Sequence, residues 1–166
     1  MYRKIEDFTK EWSYERESTS KMFKALTETS LSQRVTPDGR SLGFLAWHIT
    51  LTVGEMMGKA GLSFDAPKED APMPKSVTQI AESYDKAAKA LAEAVQKQWS
   101  DNALLDEIEM YGEKWTKGIT LGALVKHQIH HRAQMTVLMR QAGLNVPGVY
   151  GPSKEEWAQY GMTAPE

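Results

Sequence analysis

The chain contains no cysteine among its 166 residues. No disulfide framework can hold the fold, and any bound metal must take nitrogen and oxygen donors. Long apolar runs are missing as well. The longest uncharged stretch extends from Ser41 to Gly54 before Glu55 interrupts it, too short to span a bilayer and better suited to a buried helix. The first residues, MYRKIEDFTKEW, carry no apolar core of the signal-peptide kind, so the expectation is a cytoplasmic protein with no membrane partner. Charge of one sign is scarce: the formal net charge is -2 and no long basic block occurs, which argues against nucleic acid as the main partner. Neither G-x-x-x-x-G-K-[ST] nor G-x-G-x-x-G is found, nor a nucleophile elbow, so phosphate-loop and dinucleotide chemistry are set aside.

What is present is an ordinary globular composition, 41% apolar and 25% charged, at a length that one domain with a real core accommodates. The expectation is therefore a single domain over 1–166, and apolar spacing divides it into four helices. In the first, from about Tyr2 to Thr29, the residues Ile5, Phe8, Trp12, Thr19, Met22, Phe23 and Leu26 form one stripe. Pro37 and Gly39 break the pattern. Ser41 caps a second helix that runs to about Ala60, where Gly61 supplies the stop. A loop with three prolines follows. Ser76 and Gln79 have capping-box spacing for a third helix ending near Trp99. Between Asp101 and Gly118 the period changes, and either a short hairpin over Glu107–Lys117 or an irregular connection fits. Thr120 is the expected cap of the fourth helix, which stops at Gly143. The tail 144–166 contains one short capped turn in SKEEW. Its Val149, Tyr150, Trp157 and Tyr160 are expected to dock on the bundle or on the partner of a homodimer. The fold class is all-α, a four-helix bundle.

Chemistry concentrates in three histidines. His127 and His131, in KHQIHHRAQ, are four apart and lie one above the other on a helix face. His48 sits in the apolar second helix, about 10 Å from its start at 1.5 Å per residue, a height that His127 or His131 matches whether the two helices run parallel or antiparallel. Bundle interiors commonly host metal sites built from facing helices, and three imidazoles with coordination positions left open would suit a catalytic ion. The competing reading is of core histidines with hydrogen-bonded rings. His130 is turned about 100° from His131, toward the surface or a supporting role. Gln134, one turn beyond His131, could orient it or face a substrate. Glu55, seven residues after His48, could act as a base or further ligand, or simply pair with a cation.

The mid-chain histidine of SLGFLAWHI, followed by HQIHHRAQMTVLMRQAG, resembles the DinB-like (DinB/YfiT) family over the whole chain. The resemblance implies a four-helix bundle binding a divalent metal through three histidines, which by position are His48, His127 and His131. Zinc and nickel both suit imidazole. The characterised relatives that the resemblance brings in include transferases and isomerases using low-molecular-weight thiols. The expectation is thus a metal-dependent enzyme acting on a small molecule, either a thiol-dependent transferase or a hydrolase. The alternative is a non-catalytic metal-binding or stress-responsive protein acting through a partner.

Overall fold

The computed structural model describes residues 1–165. Its main elements are α1 (Ile5–Lys24), α2 (Leu42–Lys59), α3 (Val77–Gln98), the strands β1 (Glu107–Met110) and β2 (Glu113–Thr116), and α4 (Lys117–Gln141). Short 3-10 turns span Thr29–Ser32, Asn102–Leu105 and Lys154–Tyr160. The expected four-helix bundle is what the chain forms.

Local chemistry explains most of the boundaries. Ser41 and Ser76 each accept a hydrogen bond from the backbone N–H three residues on, at Phe44 and Gln79, filling donors that a helix start leaves open. Gly61 and Gly143 follow α2 and α4 at positive φ, 88° and 74°, a conformation that glycine reaches without a Cβ clash. Two boundaries differ from the sequence expectation. α1 ends at Lys24 rather than Thr29, because the chain turns there and resumes as a 3-10 turn that still buries Leu31. α4 starts at Lys117, capped by Thr116, whose hydroxyl accepts from Ile119 N at 3.2 Å. Thr120 lies inside the helix and donates back to Thr116 O. The hairpin alternative holds over 107–116: Ile108 pairs with Trp115 and Met110 with Glu113. Tyr111 and Gly112 turn the chain with φ of 54° and 83°, both positive as a two-residue hairpin turn requires.

Around the bundle, α1 packs on α3 and α4, and α2 packs on α3 and α4. Thr52, one turn after His48, meets His127, one turn before His131, while Gln33 before α2 meets Gln141 at the end of α4. α2 and α4 are therefore antiparallel. α1 and α4 run the same way, since Tyr2 bonds Gly118 and Glu15 bonds Arg132. Phe8, Trp12, Phe23, Ile49, Ile80, Tyr84, Leu91, Leu124 and Met135 are among the side chains sealed in the core. The tail contributes the buried Val146, and Tyr150 hydrogen-bonds Glu15 and Arg132. Trp157 is half-buried and Tyr160 exposed.

The start of α4 is fixed by a close backbone approach. Tyr2 N donates to Gly118 O at 3.2 Å, and a Cβ at Gly118 would collide with Tyr2 O while lying 3.1 Å from Leu104 O. Neither neighbour can rotate away, since both are backbone. Gly118→Ala should therefore destabilise the fold by about 1–3 kcal/mol, read as a lowered urea midpoint at unchanged slope. An unchanged midpoint would contradict this packing.

Candidate metal centre

His48 on α2 and His127 and His131 on α4 converge. Antiparallel packing places one α2 position between two α4 positions a turn apart, so His48 faces both partners with ring centroids 4.9 and 4.7 Å away. His127 Nε2 lies 3.1 Å from His48 Nε2 and 3.1 Å from His131 Nε2. The donor atoms of all three fall within 4.8 Å of one another. His131 is buried, while the other two are half-buried and open to a cavity.

The far nitrogens decide what the near ones can do. His131 Nδ1 is 2.8 Å from Gln134 Oε1, an acceptor, which puts the ring proton on Nδ1 and leaves Nε2 as a lone pair. His127 Nδ1 faces Thr52 Oγ1 at 3.5 Å. The Thr52 hydroxyl proton goes to Ile49 O at 3.1 Å, so its oxygen is free to accept. Two bare Nε2 lone pairs then point at each other, which is repulsive unless they share a cation. A metal–nitrogen bond of about 2.0–2.1 Å separates neighbouring donors by about 2.9–3.4 Å for angles between square and tetrahedral. The observed 3.1 Å falls inside that range. These residues fit a divalent ion and could hold one.

Electrostatics agree. Burial, followed by the nearby His131 and His48 rings, pushes His127 down to about 4. His48 is lowered by burial, then by His131 and Arg40. Burial lowers His131 as well, with the Gln134 hydrogen bond opposing it. Desolvation disfavours the charged ring, so all three rings are neutral at pH 7, the protonation state in which an imidazole can act as a donor.

The supporting residues separate clearly. Gln134 is exposed, yet it spans His131 and His130, giving its amide nitrogen to His130 Nε2 at 3.1 Å. His130 is exposed and stands edge-on to His131 at 4.9 Å. Glu55 does not join the imidazoles. Its carboxylate pairs with Lys59 and accepts the Tyr111 hydroxyl at 2.9 and 3.0 Å. Trp47 is buried and donates to Ala71 O in the α2–α3 loop. Thr52 is a site residue that sequence reasoning missed, although its place four residues after His48 puts it on the same face. Tyr111 and Trp115, from the hairpin, are two more. They help line a cavity of about 860 Å³ beside His48 and His127, with Phe44 and Met56 among its apolar walls.

A model of the DinB family matches residues 1–165. The chain belongs to the DinB family. The uncharacterized protein YrdA of Bacillus subtilis (strain 168) is 45% identical over 166 residues, covering 100% of this chain and 99% of its own. The crystal structure of a DinB-like protein from Bacillus cereus ATCC 10987 superposes with a TM-score of 0.87 at 46% identity, over 90% of this chain and 100% of that one. A second DinB-like structure, YjoA of Bacillus subtilis, gives a TM-score of 0.68 at 20% identity over 86% of this chain and 96% of its own, a likeness of fold alone. Membership in the DinB family and the histidine cluster together point to metal binding. No helix among the described residues is long and apolar enough to cross a membrane.

Because Gln134 fixes the tautomer and plane of His131, its loss should loosen the centre without removing a donor. Gln134→Ala should weaken affinity for zinc about 10–100-fold, measured by competition with a chromogenic chelator. Unaltered affinity would show that the contact does not orient the ring.

Proposed function

We propose that this protein is a metal-dependent enzyme that transfers a small thiol to an electrophilic substrate, with His48, His127 and His131 as the metal ligands and zinc or nickel as the ion. The observation that carries the reading is three neutral Nε2 donors converging at the wall of a cavity large enough for a small molecule. No fourth carboxylate or histidine among the described residues closes the set, which favours catalysis over a sealed binding site.

A bound divalent ion supplies Lewis acidity, lowering the pKa of a thiol or water beside it and polarising an electrophile. The protein supplies the rest. Gln134 and Thr52 hold the protons of His131 and His127 on Nδ1, keeping each Nε2 available. Phe44, Met56 and Trp115 give the cavity apolar walls. Glu55 is fixed by Lys59 and Tyr111 as part of the wall. In the overall reaction the thiol gives up its proton, its sulfur forms a bond to the electrophilic carbon, and the leaving group departs with the electron pair of the bond that breaks.

A turnover screen tests this. The metal-loaded protein is mixed with monochlorobimane and, separately, bacillithiol, mycothiol, glutathione or coenzyme A. The expected result is a rate above free thiol that requires metal and saturates with one of the thiols. Turnover of substrate without thiol would establish hydrolysis instead. No metal-dependent turnover in either assay would leave a metal-binding protein without this activity and overturn the proposal.

A further inference from the structure

The hairpin brings to the cavity one aromatic side chain that the core does not absorb. Residues alternate along a strand, so Ile108, Met110, Glu113 and Trp115 share one face of the two-stranded sheet. Met110 is fully buried and Ile108 packs against the core, which makes this the inward face. Trp115 stops short of the core: it is half-buried and lines the cavity beside Tyr111. Its indole N–H donates to Glu113 Oε2 at 2.8 Å, so the one polar atom of the ring is satisfied within the hairpin. The next residue, Thr116, caps α4, and the ring is thereby tied to the helix that carries His127 and His131.

The other two aromatic rings of the wall are already engaged. Phe44 has the Arg40 guanidinium 5.0 Å from its centroid and stacks on His48 at 5.7 Å. Tyr111 has the Lys59 ammonium 5.3 Å from its centroid and gives its hydroxyl to Glu55. Trp115 meets no cation among the described residues, and its sole ring neighbour there is Tyr111, 5.9 Å away and crossed at 68°. A crossed pair of this kind leaves indole surface uncovered. Charge on the wall is balanced, since Glu55 and Glu69 share Lys59 and Lys126 is a second cation. Such a wall gives an ionised group no advantage. The length of the cavity follows from α2. Glu55 comes two helical turns after His48, about 10 Å along the axis at 1.5 Å per residue, so the hairpin tip that meets it stands about that far from the three histidines.

We propose that Trp115 is a specificity-determining residue whose indole face receives a flat, uncharged aromatic group of the small molecule occupying the cavity, while the reactive end of that molecule reaches the three histidines. A flat ring gains a stacking contribution on indole that a saturated group of the same bulk does not. The inference rests on the reading of this cavity as the substrate site, and it adds the class of ligand: an elongated small molecule with an aromatic end.

Calorimetric titration of the zinc-loaded protein tests it by binding rather than turnover. The probes are phenylalkyl hydroxamates, from benzohydroxamate to 4-phenylbutyrohydroxamate, and their cyclohexyl counterparts, which match them in apolar bulk but are not flat. The wild-type protein should bind the best phenyl member about threefold to tenfold more tightly than its cyclohexyl match, the range expected of one aromatic pair beyond its buried area. In Trp115→Leu that ratio should fall close to one, and Trp115→Phe should restore part of it. Circular dichroism establishes that the variants are folded, as expected for a side chain outside the core. Three results would overturn the assignment: equal binding of the two rings by the wild type, a phenyl preference that survives in Trp115→Leu, or no member of either series binding more tightly than acetohydroxamate. The hydroxamates contain no thiol, so a phenyl preference without thiol-dependent turnover would sustain Trp115 and defeat only the transferase reading. Thiol-dependent turnover without the phenyl preference would defeat only Trp115.

Discussion

Purified protein should carry about one divalent ion per chain, and His131→Ala should lose most of it. Removing one of three imidazoles takes away a direct metal–nitrogen bond and leaves His127 and His48 to hold the ion alone. His130→Ala is the matched control. It deletes an adjacent imidazole that touches Gln134 but is not in the convergent set, so it should retain most of the metal. Elemental analysis giving the same content for both variants would sink the assignment. Acidity gives a second readout. His127 is ordinarily protonated below about 6.5, but burial holds it near 4 in the folded chain. Protons should therefore compete for this ligand only as the pH approaches about 4, and metal should still be bound at pH 6. The metal-free protein follows the same groups with a definite sign. Above about pH 6.5 the folded and unfolded rings are both neutral. As the pH falls from there toward about 4, the unfolded chain takes up a proton that folded His127 does not, so stability declines across that window.

The three histidines are legible in the sequence because ligand geometry and helix periodicity coincide. An i, i+4 pair specifies a shared face, and a third histidine in an apolar helix has few other reasons to be there. Gln134 is legible for the same reason, one turn from His131. Thr52 is not, since its role depends on α2 running antiparallel to α4, and the heights of the residues are compatible with either direction. The hairpin residues are hidden differently. Tyr111 reaches Glu55 only because a two-residue turn with positive φ projects it from the bundle, and spacing along the chain carries no record of that crossing. The cap of α4 shows how close the alternatives are. Thr116 and Thr120 are one turn apart with the same side chain, and the cap falls to the residue where β2 delivers the chain. The apolar stripe overstates the length of α1 because it continues to Leu26, which stays buried after the helix has ended. Periodicity reports the buried face and not the hydrogen bonding beneath it.

A polar network on the other side of α4 has no motif to betray it, and it supports the largest stability effect expected here. Glu15 lies between Trp12 and Thr19 on the inward stripe of α1, the one charged residue at such a position in that stretch. Both Glu15 and Arg132 are almost wholly buried, at 2% and 3% exposure. Arg132 Nη2 reaches Glu15 Oε2 at 2.5 Å, and Nη1 donates to Thr19 Oγ1 at 3.0 Å and to Glu15 O at 3.2 Å. Tyr150 from the tail completes the arrangement, accepting from Arg132 at 2.8 Å and donating to Glu15 Oε1 at 2.6 Å. The pair joins the first helix, the fourth helix and the tail. Its existence says little about net stability, because removing two charges from water offsets most of their attraction. Deleting one partner is a different matter, since the other charge is then stranded. Arg132→Ala and Glu15→Ala should each destabilise the fold by about 3–5 kcal/mol, whereas Tyr150→Phe, which removes hydrogen bonds but no charge, should cost about 1 kcal/mol. The double replacement Glu15→Leu with Arg132→Met should recover much of the loss, since neither charge is left alone. Urea unfolding of the metal-free proteins separates these terms from ligand binding, and the double-mutant cycle yields the coupling directly. A loss below about 1 kcal/mol in both single variants would mean that water reaches the pair, and that Tyr150 does not seal it.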